Sequence, residues 1–201
     1  MRRYPQPVYN ITLALWLLAS AVYTARYIYL DVRNIPIIMV VISLFLLSYF
    51  SSKRANPYSR SVQANEYLIP LLATLWPVAY LFLSTNNGHS VGALFEYAGG
   101  GLMLLSALSL RNSFALFPEA RNIVSTGVYK FVRHPLYLSY LFIDFSIALS
   151  ATSMFAWCIY LVEVALFILR IIVEEKHLIE HSSEFRQYAL NTKYRLFPLL
   201  F

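Results

Sequence analysis

The run Gly127-Val128-Tyr129-Lys130-Phe131-Val132-Arg133-His134-Pro135-Leu136-Tyr137 lies between two long apolar stretches, and one helix further on come Arg170 and Glu174-Glu175. Nearly everything around these two clusters is greasy. Six runs approach the roughly 20 mostly apolar residues that cross a bilayer: 8–26, 35–50, 67–84, 91–110, 135–150 and 154–173. The second is short and the fifth contains Asp144, so five spans plus an interfacial segment is an alternative count. The runs are continuous rather than alternating, which excludes a strand reading and leaves helices to satisfy the backbone in lipid. The expected fold is all-α: a multi-pass transmembrane bundle of five to six spans with a C-terminal cytoplasmic helix. Residues 1–110 would supply four spans. Residues 111–201 would supply a loop, a helix hairpin and a tail, together the half of one domain that holds both polar clusters.

Composition agrees. Of 201 residues, 59% are hydrophobic and 13% charged, and the mean hydropathy is +0.57. Soluble domains carry about 25% charged residues. The net charge of +6 comes from basic residues flanking apolar segments, a membrane topology signal rather than a nucleic-acid footprint. The lone Cys158 has no partner for a disulfide. The first apolar run has no small-residue cleavage site and is expected to remain as a span.

Lys and Arg set the orientation. With the N-terminus inside, the inner segments hold Arg2, Arg3, Lys53, Arg54, Arg60, Arg111, Arg121, Lys130, Arg133, Lys176, Arg186, Lys193 and Arg195, and the outer loops hold Arg26 and Arg33. Thirteen against two places both termini, and both polar clusters, in the cytoplasm.

Charged groups at membrane depth are costly and default to a functional hypothesis. Proline is tolerated in the first turn of a helix, so His134-Pro135 reads as a helix start, whose free backbone N–H groups attract an anion. Tyr137, Leu141 and Asp144 follow on one face. Glu163, Arg170 and Glu174 share a face of the next helix. A short turn around 150–153 brings the two faces together as an antiparallel hairpin. The plainer alternatives are interfacial anchoring by Arg133, His134 and Tyr137, and a simple ion pair between Arg170 and Glu174. The loop 111–134, interrupted by Pro118, is long enough to suggest function. Gly99-Gly100-Gly101 suits close helix packing. The segment 174–197 is expected to be one amphipathic helix presenting Leu178, Phe185, Tyr188 and Ala189. There is no Gly-rich strand-to-helix turn, so a nucleotide-like cofactor would have to be held by helix ends and that loop.

The stretch 110–140, LRNSFALFPEARNIVSTGVYKFVRHPLYLSY, resembles the signature half of the isoprenylcysteine carboxyl methyltransferase family. The matching elements are Ile123–Tyr129, Arg133–Tyr137, Arg170–Glu175, and Tyr188 through Tyr194 to Pro198, within about residues 105–201. The resemblance implies an integral-membrane enzyme, of the small prokaryotic type, that moves a methyl group from S-adenosyl-L-methionine to a lipophilic acceptor such as a prenylcysteine-like carboxylate. Its location would be the inner membrane if the source is a bacterium, and its partners membrane lipids and a lipid-like substrate. The cofactor positions it implies are Arg121, Asn122, Ile123, Val124, Tyr129, His134, Pro135, Leu136, Tyr137 and Glu174, with Arg170 in the catalytic set as the acceptor-binding residue. No metal is implied. The chain departs from the pattern at Arg121, where eukaryotic members tend to have His, and at Ser139, where Gly is usual. The competing readings are a membrane NADPH-dependent sterol-type reductase, which shares a related Arg-His-Pro-x-Tyr hairpin, and a non-catalytic membrane protein or transporter lined by Asp144, Glu163 and Arg170.

Overall fold

A computed structural model describes residues 6–30, 35–53, 57, 59–60, 64–82, 90–120, 122–151 and 153–198. The helices are α1 (Gln6–Leu30), α2 (Ile35–Ser52), α3 (Ala64–Leu75), α4 (Ser90–Leu110), α5 (Pro135–Ala151), α6 (Met154–His181) and α7 (Ser183–Asn191). Three are long and apolar enough to cross a membrane, over Ile35–Ser52, Val91–Ser113 and Met154–His181; Asn10–Ala25, Glu66–Ala79 and Pro135–Ala151 are shorter apolar helices. Their outward faces carry exposed Leu15, Tyr49, Leu94, Leu105 and Leu161. A soluble protein would not present so much apolar surface; this is an integral membrane protein.

Helix packing follows from small residues at the crossings. A Cβ added to Gly99 would lie 2.7 Å from the Ile143 side chain and 2.9 Å from the Ser139 carbonyl, and one on Gly100 would lie 3.1 Å from the Pro36 carbonyl. These two glycines let α4 touch α5 and α2. Gly101 meets nothing within 4 Å. The Ser48 hydroxyl donates to the Ala14 carbonyl at 2.8 Å, fixing α2 on α1. Leu13, Leu17, Leu47, Met103, Ala107, Phe114 and Leu136 form the core that this packing encloses.

Four expectations need correction. The third apolar run is α-helical only to Leu75 and continues as a 3-10 helix, Trp76–Phe82; Pro70 and Pro77 each lack the N–H that an α-helix uses. The sixth helix runs on to His181, carrying Glu174 and Glu175 in unbroken register. The segment 174–197 is therefore divided rather than one helix. Ser182 ends α6, and its side chain accepts from the Phe185 N–H at 3.1 Å to start α7. Finally, a two-residue antiparallel ladder pairs β1 (Ser59–Arg60) with β2 (Glu119–Ala120), tying two loops together where no strand is expected.

Candidate functional site

The α5–α6 hairpin turns where the sequence suggests, with Ser153 capping α6 by accepting from the Phe155 N–H at 3.2 Å. Small Ala148, Ala151 and Ala156 pack at the bend. At the other end of the hairpin, the Tyr137 hydroxyl donates to Glu174 Oε2 at 2.6 Å. The His134 ring stacks on Tyr137, with centroids 5.3 Å apart and planes 5° apart, and its Nε2 meets Glu175 Oε1 at 3.0 Å.

Glu175 is a hub. Besides His134 it accepts from Arg133 Nη1 and Arg195 Nε, both at 2.9 Å. This carboxylate, 2% exposed, gathers the start of α5, the end of α6 and the C-terminal tail. Burial lowers the pKa of the Arg133 guanidinium, and the Glu175 charge opposes that shift. The tail runs alongside: the Arg133 N–H donates to the Tyr194 carbonyl and the His134 N–H to the Arg195 carbonyl, both at 2.9 Å. The tail thus occupies the two N–H groups just ahead of Pro135, the first residue of α5.

Loop 111–134 is shaped by Gly127, whose φ of +62° disfavours any other residue and where an added Cβ would lie 2.6 Å from Ser109 Oγ. It delivers Tyr129 into the interior, where the Tyr129 carbonyl accepts from the Tyr188 hydroxyl of α7 at 2.6 Å. Burial pushes the Tyr129 phenol well above its ordinary pKa, and the nearby Tyr137, Tyr140 and Tyr188 phenols and Glu174 add to the rise. Ala120, Leu178, Phe185 and Tyr188 pack together, so the apolar face of α7 covers the loop.

These elements enclose a cavity of about 100 Å³. Asn122, Ile123, Val124, Tyr129, His134, Leu136, Tyr137 and Glu174 all line it. Pro135 is buried behind the wall, and Arg170 is outside the lining. Arg121 lies outside the described residues. Sequence reasoning did not assign Phe114, Glu119 and Leu178, or the α7 residues Phe185 and Tyr188, to this wall. The amphipathic spacing of 178, 185 and 188 was the one available signal for the last three.

Arg170 and Glu174 each bond elsewhere. Arg170 Nη1 donates to Thr74 Oγ1 and Nη2 to the Leu116 carbonyl, both at 2.9 Å, while the guanidinium sits 4.7 Å from the centre of the Tyr137 ring. The aromatic ring thus separates the arginine from the glutamate that shares its helix face. Asp144 and Glu163, deeper in the hairpin, are both buried and hydrogen-bond to one another.

The chemistry of this wall suits a ligand with an aromatic portion and a cationic centre. Phe114, Ile123, Val124, Leu136 and Phe185 offer apolar contact, Tyr129 offers a ring face to a cation, and Glu174 offers a carboxylate. Among the described residues, no group of three or more His, Cys, Asp or Glu could hold a metal ion.

Residues 104–180 match the sequence model of the isoprenylcysteine carboxyl methyltransferase family. No curated protein matches the chain.

Proposed function

We propose, from the match of residues 104–180 to the isoprenylcysteine carboxyl methyltransferase family, that the chain belongs to that family and transfers a methyl group from S-adenosyl-L-methionine to a lipophilic acceptor. Family membership implies a membrane methyltransferase, and family members use that donor. The observation that carries the reading is the cavity between loop, hairpin and α7, which joins Glu174 and two tyrosines to apolar walls. When bound, the donor supplies an electrophilic methyl on a sulfonium.

The residues supply position and dryness. Methyl transfer to a carboxylate or thiolate needs little acid–base help, so orientation and exclusion of water dominate. Asn122, Ile123, Val124, Tyr129, His134, Leu136, Tyr137 and Glu174 would hold the donor, with Pro135 setting the start of α5 behind them. The cavity is smaller than the roughly 300–1,000 Å³ usual for small-molecule sites, so loop or α7 would yield as a nucleoside enters. Arg170, one turn deeper, would grip the acceptor. An acceptor arriving through lipid with a carboxylate, as on a prenylated cysteine, suits a planar guanidinium.

Topology supports this division. We read five to six spans with both termini and α7 cytoplasmic; the Ser59–Arg60 and Glu119–Ala120 pairing joins two loops that the charge count puts on that one side. The water-soluble donor and the lipid-borne acceptor would then approach from different phases.

Calorimetry on the detergent-purified protein tests the reading. S-adenosylhomocysteine is expected to bind and NADPH not to bind; the reverse would assign the hairpin to a reductase.

A further inference from the structure

Pro70 interrupts the hydrogen bonding of α3, and four residues on the Thr74 hydroxyl donates to the Pro70 carbonyl at 2.7 Å. A hydroxyl has one proton. With that proton given to Pro70, Thr74 Oγ1 can only accept, and it accepts from Arg170 Nη1 at 2.9 Å. The other terminal nitrogen of Arg170 is fixed by the Leu116 carbonyl, and the face of the guanidinium rests over Tyr137. Two edges and a face are therefore constrained. Among the described residues, the Nε of this arginine, which is 3% exposed, is buried without a hydrogen-bond partner. A buried N–H on a cation that lacks an acceptor is unfavourable, and an anionic ligand group would relieve it. The Trp76 indole N–H, donating to the Ile159 carbonyl at 2.9 Å, holds the end of α3 against α6.

We propose that Thr74 is a positioning residue that sets the guanidinium of Arg170 for the acceptor's anion. A helix outside the matched residues 104–180 then shapes the acceptor side of the site. The inference rests on the reading of Arg170 as the acceptor anchor, and it goes further by making the direction of one hydroxyl the determinant of that grip. Thr74→Val keeps the shape and removes the oxygen. Thr74→Ser keeps the oxygen.

The test uses the full chain in detergent with two readouts. The first needs no acceptor: the ¹H–¹⁵N resonance of Arg170 Nε, assigned by its loss in Arg170→Lys. It is expected to shift in Thr74→Val and to hold its wild-type position in Thr74→Ser. The second is methyl transfer from labelled S-adenosylmethionine to an S-farnesylated N-acetylcysteine. Thr74→Val is expected to raise the KM for this probe about tenfold, the scale of a lost hydrogen bond to a charged group. Its kcat and its affinity for S-adenosylhomocysteine should stay near wild type, with Thr74→Ser restoring KM. A resonance unmoved in Thr74→Val, or Thr74→Ser as impaired as Thr74→Val, overturns the proposal. If the wild-type protein transfers no methyl to the probe, the acceptor reading fails by itself, and the resonance still decides the role of Thr74.

Discussion

Tyr137 and Glu174, thirty-seven residues apart, share a 2.6 Å hydrogen bond across the mouth of the α5–α6 hairpin. The donor is a buried phenol, and the acceptor is a carboxylate on the cavity wall. Removing the hydroxyl in Tyr137→Phe leaves the ring for Arg170 and His134 to pack on, but frees Glu174 to swing. We expect affinity for S-adenosylhomocysteine to fall about tenfold, the low end of the worth of one hydrogen bond to a charged group. Titration calorimetry reads this directly. Wild-type affinity in Tyr137→Phe would mean that this contact does not orient the carboxylate for a ligand.

The neighbouring Glu175 does different work. It is the common acceptor of Arg133, His134 and Arg195. Leaving buried cations without their counter-charge costs about 3–5 kcal/mol, and the half-exposed Arg195 will account for the smaller part. Glu175→Ala should therefore lower the unfolding temperature strongly, whereas Glu174→Ala should lower it little. Thermal unfolding in detergent compares the two; equal losses would deny the hub its structural role.

Adjacent glycines give a similarly sharp contrast. Gly99→Ala drives a methyl into Ile143 and the Ser139 carbonyl, while Gly101→Ala enters open space. Backbone cannot retreat as a flexible side chain can, so overpacking at Gly99 is expected to cost about 1–3 kcal/mol. Gly101→Ala should be neutral or slightly stabilising, since alanine is the better helix former. Unfolding midpoints in mild detergent with added denaturant would rank the variants, and the opposite order would mean that α4 and α5 are not in contact here.

How much of this was legible beforehand depended on distance along the chain. Apolar runs report helices locally, so the positions of α1, α2, α4, α5 and α6 followed from residue order. The proline-broken end of α3 was missed, although Pro70 and Pro77 stand in plain view. Tyr137 and Glu174 could be paired because a short turn joins their helices. Arg170 and Thr74 could not, being 96 positions apart with no pattern relating them. The same holds for Tyr188 and Tyr129, and for the tail carbonyls that occupy the N–H groups before α5. Contacts between elements, rather than elements, were what residue order concealed. The i,i+4 spacing of Arg170 and Glu174 even suggested a pairing that the intervening Tyr137 ring replaces.

The Tyr188 latch makes a statement about pH. Burial raises the Tyr188 phenol above its ordinary range, with Arg133 pulling the other way, and only the neutral phenol can donate to the Tyr129 carbonyl. A pKa higher in the folded state than the unfolded value of about 10 gives a stabilisation that is complete below that value and is lost as pH rises through the folded one. Unfolding temperature should therefore show no pH dependence from this group between pH 7 and about 10 and should fall above it. Tyr188→Phe should be less stable at neutral pH and should lose part of the alkaline decline. Melting curves across the pH series would refute this if the variant and the wild type ran parallel.

Glu174 and Arg170 sit on one helix face and differ in depth by about 6 Å at 1.5 Å per residue. Their partners show that they are not a pair: one accepts from Tyr137 and the other donates to Thr74 and Leu116. Glu174 borders the cavity and Arg170 does not. Two functions at two depths then predict two kinetic signatures. Glu174→Gln keeps the shape but removes the charge facing the donor, so the apparent constant for S-adenosylmethionine should rise about tenfold or more, given the worth of hydrogen bonds to charged groups. Arg170→Lys keeps the charge but cannot reproduce a planar fork. It should bind S-adenosylhomocysteine like the wild type and lose most of its turnover on a farnesylated thiol-acid. A lysine there also cannot satisfy Thr74 and Leu116 with the same geometry, so some loss of stability is expected in Arg170→Lys alone. Calorimetry, initial rates and thermal unfolding measured on both variants separate the roles. Matched losses of stability with no split between donor affinity and turnover would return both residues to a purely structural part in the hairpin.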